Sequence, residues 1–147
     1  MTSMIIAPGP GVIVQTARKT VTFTGAANLG AVGAVPIFTV TGDVLVVRLV
    51  PVCTVDLTEA LATATLALGV TNSTALFVAA TTATVIDAGE FWVNTTSQAD
   101  GFALPAALKD ILVTQNIIGT VATQAVNGGA IRFDCHWIPL SADGNVA

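Results

Sequence analysis

The clearest alternation of apolar and polar residues lies near the C-terminus, in residues 130–138 (AIRFDCHWI). Apolar residues occupy every second position, and Arg132, Asp134 and His136 fall between them. Side chains of a strand point alternately to its two faces, so this stretch predicts a strand with one core face and one polar face.

Residues 38–53 (FTVTGDVLVVRLVPVC) predict a hairpin of one short strand, a turn at Gly42 and Asp43, and one long strand. Simple alternation gives the long strand two faces, with Leu45, Val47, Leu49, Pro51 and Cys53 on one and Val44, Val46, Arg48, Val50 and Val52 on the other. Both faces are apolar apart from one charge. We therefore expect this strand to be covered on both sides, by a second sheet, a helix or another subunit.

The remaining pattern adds further short strands. Residues 20–24 alternate, residues 62–69 and 75–80 predict a second hairpin, and 84–86, 111–113 and 117–123 predict short strands. Helical signals are confined to residues 56–59, where Asp56 and Glu59 resemble a capping box, and to 102–109. Together these elements predict an all-β, single-domain antiparallel β-sandwich, jelly-roll-like, with at most one or two short helices.

Two prolines and two glycines in PGPG exclude a helix near the start of the chain. We expect residues 1–17 to form an extended N-terminal arm and residues 18–147 to form the sandwich domain. Residues 1–19 lack the basic region of a signal peptide, so none is predicted.

The amino-acid composition predicts that the chain assembles into a homo-oligomer. Hydrophobic residues make up 53% of the 147 positions and charged residues only 10%, against about 25% in a typical soluble domain. No apolar run reaches the roughly 18 residues of a membrane-spanning helix, and the absence of tyrosine disfavours an outer-membrane barrel. We therefore expect no membrane partner, and much apolar surface buried in a homo-oligomer. The net charge of −4 and five scattered basic residues predict no nucleic-acid partner.

Candidate chemistry is sparse. Cys53 and Cys135 fall on the apolar faces of the two long strands, where they could meet, and two buried thiols are favoured over a disulfide. His136 is the only histidine and shares a face with Asp134, but no nucleophile accompanies them. One histidine and two cysteines do not make a zinc site. The sequence thus predicts no cofactor, no metal and no enzyme activity.

Arg48 is the exception on an otherwise apolar face. A buried cation needs a carboxylate partner, and Asp134 on the other long strand is the favoured candidate, with Asp43 or Asp56 as alternatives. The residues proposed for a subunit interface are Arg48, Val46, Val50, Trp92 and Trp137.

Four segments of the chain resemble a known class of proteins, and this resemblance implies a function. The C-terminal WIPLSADGNV, together with FTVTGDV, the strand ending at Cys53 and DAGEFW, resembles small structural proteins of tailed bacteriophages and prophages over residues 20–146. The resemblance implies a β-rich subunit, commonly trimeric, that decorates or cements a capsid lattice. Its partners would be its own copies and the major capsid protein, and its location the capsid surface of the virion after synthesis in the host cytoplasm.

An alternative within the same resemblance is a tail or fibre domain that binds a host surface glycan. Such a protein would expose aromatic residues at its loops, and Trp92 is the candidate.

Overall fold

Strands dominate the part of the chain that the computed structural model describes, residues 13–101 and 103–147. They are β1 Gln15–Thr22, β2 Gly33–Phe38, β3 Val40–Thr41, β4 Val44–Glu59, β5 Thr65–Val70, β6 Ser73–Thr82, β7 Lys109–Val113, β8 Ile117–Ala122, β9 Val126–Pro139 and β10 Asn145–Val146. Two single 3₁₀ turns, Ala83–Val85 and Ala106–Leu108, are the helical elements of these residues. The predicted all-β class is confirmed.

Two antiparallel four-stranded sheets pack face to face. Sheet I has the order β1-β9-β4-β7 and sheet II the order β2-β8-β5-β6, while β10 and β3 form a separate pair. One continuous cluster of buried apolar side chains fills the space between the sheets. The predicted antiparallel sandwich is therefore confirmed.

Strand β9 follows the predicted alternation along its whole central part. Its inward side chains, Ile131, Phe133, Cys135 and Trp137, are at most 3% exposed. The residues between them point away from the second sheet. A regular strand with one buried face was therefore readable from its sequence.

Strand β4 does not keep a single alternation. Its register against β9 shifts between Val46 and Arg48, so that Val47 is an extra residue opposite the partner strand. Val46 and Leu49 are consequently both buried in the core, although three positions separate them. The predicted faces are wrong before the bulge, and Val46 does not lie on the face of Arg48.

The predicted hairpin at residues 38–53 is also wrong. Strand β3 pairs with β10 instead of β4, and the backbone groups of Thr39 and Ala147 exchange two hydrogen bonds beside that pair. Strand β4 pairs with β9 and β7. Gly42 does turn the chain, with a φ of 63°, but the turn leads into another sheet.

Other differences lie at the ends of strands. Strand β4 continues through Asp56 to Glu59, where a helical start was predicted, because pairing with β9 extends that far. Strand β1 begins at Gln15, so the last residues of the predicted 1–17 arm belong to sheet I, and residues 1–12 lie outside the described residues. The second predicted hairpin is confirmed as β5 and β6.

Candidate assembly surface on sheet I

Charge is divided unequally between the two sheets. All five basic residues of the chain lie on strands of sheet I: Arg18, Lys19, Arg48, Lys109 and Arg132. The four strands of sheet II contain no charged residue. The strands of sheet I also carry four of the nine acidic residues, Asp56, Glu59, Asp110 and Asp134, so all charges on the strands of the two main sheets belong to one sheet.

The outward side of sheet I brings Arg18, Arg48 and Arg132 together, whereas Lys19 lies opposite the inward-facing Phe133. We define the outer face of sheet I by Arg18, Arg132, Asp134 and His136 on β1 and β9, and Leu45, Arg48, Val50 and Val52 on β4. The apolar members of this face are partly exposed. Sheet II covers the opposite, inward side.

Asp134 holds two arginines on this face. The Arg18 Nε donates to Oδ1 of Asp134, and the Arg132 Nε donates to Oδ2 at 3.0 Å. Asp134 is only 8% exposed, so both hydrogen bonds compensate for the burial of its charge. The carboxylate thus adds a side-chain link between β1 and β9 to their backbone pairing.

The predicted Arg48–Asp134 ion pair does not form within the subunit. The Cα of Asp134 lies opposite Val50 on β4 and opposite Arg18 on β1, whereas Arg48 lies opposite His136. Arg132, two residues from Asp134 on the same strand face, was detectable from the sequence. Arg18 was not, because its approach depends on the register of β1 against β9.

Arg48 lies between two basic groups. Its cross-strand neighbours are His136 on β9 and Lys109 on β7. Arg48 is exposed and has no carboxylate within 4.0 Å among the described residues. Like charges directly opposite each other destabilise a strand pair, so this arrangement gains nothing within one subunit.

The surroundings of His136 lower its pKa and so favour the neutral imidazole. Desolvation lowers its pKa, and the nearby Arg48 lowers it further, whereas Asp134 acts in the opposite direction. Its Nδ1 is buried and has no hydrogen-bond partner in the described part of the chain. Protonation would therefore place a second cation beside Arg48 without a compensating acceptor.

We expect NMR titration of His136 to give a pKa below the ordinary value of about 6.5. Since the unfolded chain then binds more protons, stability is unaffected above about pH 6.5 and falls as the pH decreases through that value. The variant Arg48→Met should raise the pKa and Asp134→Asn should lower it further. An unchanged pKa in both variants would contradict the assigned electrostatics.

An apolar pocket adjoins the outer face at Val50. It has a volume of about 220 Å³ and is lined by Val50, Phe91, Val93, Asp100, Gly101 and Leu104. Backbone hydrogen bonds hold its rim against β4, because the N–H of Cys53 donates to Glu90 and the N–H of Trp92 donates to Pro51. The pocket is thus built onto the edge of sheet I.

Both tryptophans proposed for an interface lie in the core. Trp92 is completely buried and its Nε1 donates to Thr81 Oγ1 at 2.9 Å, while Trp137 is 3% exposed. Neither side chain is available to another subunit, because each packs within its own sandwich. Of the five proposed interface residues, Arg48 and Val50 have exposed side-chain surface, and Val46 does not.

Cys53 and Cys135 are buried free thiols on neighbouring strands. Cys53 lies opposite Ile131 and Cys135 opposite Leu49, an offset of four residues or about 13 Å along the strands. Desolvation raises the pKa of Cys53 to about 11 and that of Cys135 to about 12. The two thiols are therefore too far apart to form a disulfide, which agrees with the prediction of two buried free thiols.

We expect the native protein to resist an aromatic disulfide reagent at pH 8, because both thiols stay protonated and covered at that pH. In guanidinium chloride the same reagent should titrate both cysteines. The released chromophore measures the reaction, and rapid labelling of the folded chain would contradict the burial of the thiols.

The described residues offer no group of three or more histidine, cysteine or acidic side chains placed to hold a metal ion. Their helical turns are also too short to span a membrane.

Comparisons with known proteins identify no relative: no family model, no curated protein and no solved structure matches this chain.

Proposed function

We propose that the protein is a structural subunit that acts by assembly, as a capsid decoration protein forming a homotrimer on the head of a tailed bacteriophage. The observation that carries this proposal is the segregation of charge, with every cation on one sheet and none on the strands of the other. Large faces depleted of charge suit contacts with other protein surfaces.

Strand order supports a virion role. Among the eight strands of the two main sheets, each step along the chain crosses from one sheet to the other except β5 to β6. We infer from this order a jelly-roll arrangement, an architecture that many viral capsid domains share. Because one fold serves many functions, the order supports the proposal only together with the surface.

The glycan-binding alternative has less support. Sugar recognition uses exposed aromatic rings, and both tryptophans are buried. Among the phenylalanine and tryptophan side chains that the structure describes, Phe91 alone is partly exposed, and it packs against the core. The assembly proposal requires no such platform.

Protein mass spectrometry of purified virions tests the proposal. A decoration subunit should be found on heads in copy numbers comparable to those of the major capsid protein, and heads separated from tails should retain it. Detection only in the tail fraction, in a few copies, would overturn the assignment and favour the glycan-binding alternative.

A further inference from the structure

Three large apolar side chains form a row across the strands of sheet I, near the end where β4 begins. Leu45 on β4 lies opposite Ile138 on β9 and opposite Leu112 on β7. Leu45 and Ile138 are partly exposed and Leu112 is 70% exposed. We call these three residues the apolar row. Large apolar side chains that share one exposed patch mark a surface for interaction.

Basic residues form the next row on one side of the apolar row. This cationic row consists of His136, Arg48 and Lys109 and lies about 7 Å farther along the strands, the spacing of alternate residues on one strand face. Arg48 and Lys109 are exposed and form no ion pair within 4.0 Å in the described chain. The exposed Asp110 follows Lys109 and offsets its charge, so Arg48 is the least compensated cation of the row.

Acidic residues lie on the other side of the apolar row. Asp43 precedes Leu45 by two residues, and the N–H of Leu140 donates to the Asp43 carbonyl at 2.8 Å, so the pairing of β4 with β9 continues to this point. Ser141 Oγ accepts from the N–H of Asp43 and donates to Asp143, which places Asp143 beside the same turn. Both carboxylates are exposed and neither forms an ion pair with another described residue. The apolar row thus separates charges of opposite sign.

We infer that this end of the outer face binds the same surface of a second copy, across a two-fold axis that runs along the apolar row. Rotation about this axis places one apolar row on the other and places Asp43 of each copy opposite Arg48 of its partner. A two-fold contact forms each such pair twice. A two-fold axis along the strands would instead place each cationic row on its equivalent, so the charges select the first arrangement.

A groove beside Asp43 suits the side chain that this contact brings there. It has a volume of about 260 Å³ and is lined by Asp43, Val44, Leu112, Val113, Thr114 and Leu140. Apolar walls beside a carboxylate match arginine, which combines an aliphatic stem with a cation. The inference goes beyond the proposed function, because a two-fold contact links subunits in pairs independently of the surface that forms a trimer.

Cross-linking of the full chain through an introduced cysteine tests the symmetry. Leu112→Cys places a thiol on the axis, so a short bis-maleimide should join two chains into a covalent dimer on a denaturing gel. Val55→Cys is the matched control, because Val55 is 55% exposed and lies near the other end of β4, away from the axis. The native Cys53 and Cys135 are buried and should contribute no cross-link.

Charge reversal in the Leu112→Cys chain tests the pairing of Asp43 with Arg48. We expect Arg48→Asp to lower the yield of covalent dimer at least about ten-fold, because two attractive pairs become repulsive. Adding Asp43→Arg to that variant should restore the yield. Lys19→Asp makes the same change of net charge on β1, opposite Phe133, and should leave the yield unchanged.

Circular dichroism establishes that each variant is folded, as expected for changes at exposed residues. Equal yields from Leu112→Cys and Val55→Cys, no dimer from Leu112→Cys, or no restoration by the double charge reversal would each overturn the inference. The decoration function is tested separately, from the virion fractions, so loss of the two-fold contact leaves that proposal in place.

Discussion

Replacing Gly69 with alanine is expected to destabilise the protein by about 3 kcal/mol, at the upper end of the usual cost of overpacking. A Cβ at position 69 would lie 2.1 Å from the carbonyl oxygen of Ser73 and 2.5 Å from the carbonyl carbon of Thr74. Both atoms belong to the backbone of β6, which cannot move aside as a side chain could. Urea unfolding measures the loss as a lower transition midpoint.

Gly119 on the adjacent strand β8 provides the control. An added Cβ there would meet its nearest atom, Cδ1 of Leu66, at 3.5 Å, which is ordinary packing. Gly119→Ala should therefore be neutral or stabilise by about 0.5 kcal/mol, because alanine loses less backbone entropy on folding. Equal midpoints for the two variants would contradict the close approach of β6 to Gly69.

The second large effect is expected at Asp134. Asp134→Asn removes the charge that holds Arg18 and Arg132, leaving two cations on one face without a compensating carboxylate. We expect a loss of about 2 kcal/mol, below the cost of breaking a fully buried pair because both arginines retain contact with solvent. Added salt should recover part of this loss by screening the cations.

Asp110→Asn is the matched variant for that measurement. Asp110 lies on β7 of the same sheet, is exposed and makes no ion pair within 4.0 Å in the described structure. Its φ of 57° is tolerated by asparagine, so the substitution changes charge without adding strain. Thermal unfolding should show little change in this variant, and a loss as large as that of Asp134→Asn would argue against the two-arginine arrangement.

The sequence predicts those parts of the fold that a local pattern determines. Strand β9 was readable because its core and outward residues alternate without interruption between Ile131 and Ile138. The hairpin of β5 and β6 was readable because a short polar connection separates two apolar runs. In both cases the neighbouring residues contain the information needed to assign the element.

The parts that were mispredicted depend on residues distant in sequence. Strand β3 pairs with β10, more than a hundred positions away, and no local signal distinguishes that partner from β4. Strand β2 was missed because Pro36 interrupts a run that follows several glycines. The partner of Asp134 was misassigned because it depends on the register of β1 and β4 against β9, which places Arg18 opposite Asp134 and Arg48 opposite His136.

The bulge at Val47 has a further consequence for anyone who aligns this chain. Val47 adds one position to β4, so the two halves of the strand alternate out of phase. The core residues before it have even numbers, Val44 and Val46, and those after it have odd numbers, Leu49 and Cys53. Omitting Val47 restores a single phase from Val44 to Cys53. An alignment that allows a one-residue gap at Val47 will therefore match core to core along the whole strand, whereas an ungapped one will match half of it to another protein's surface.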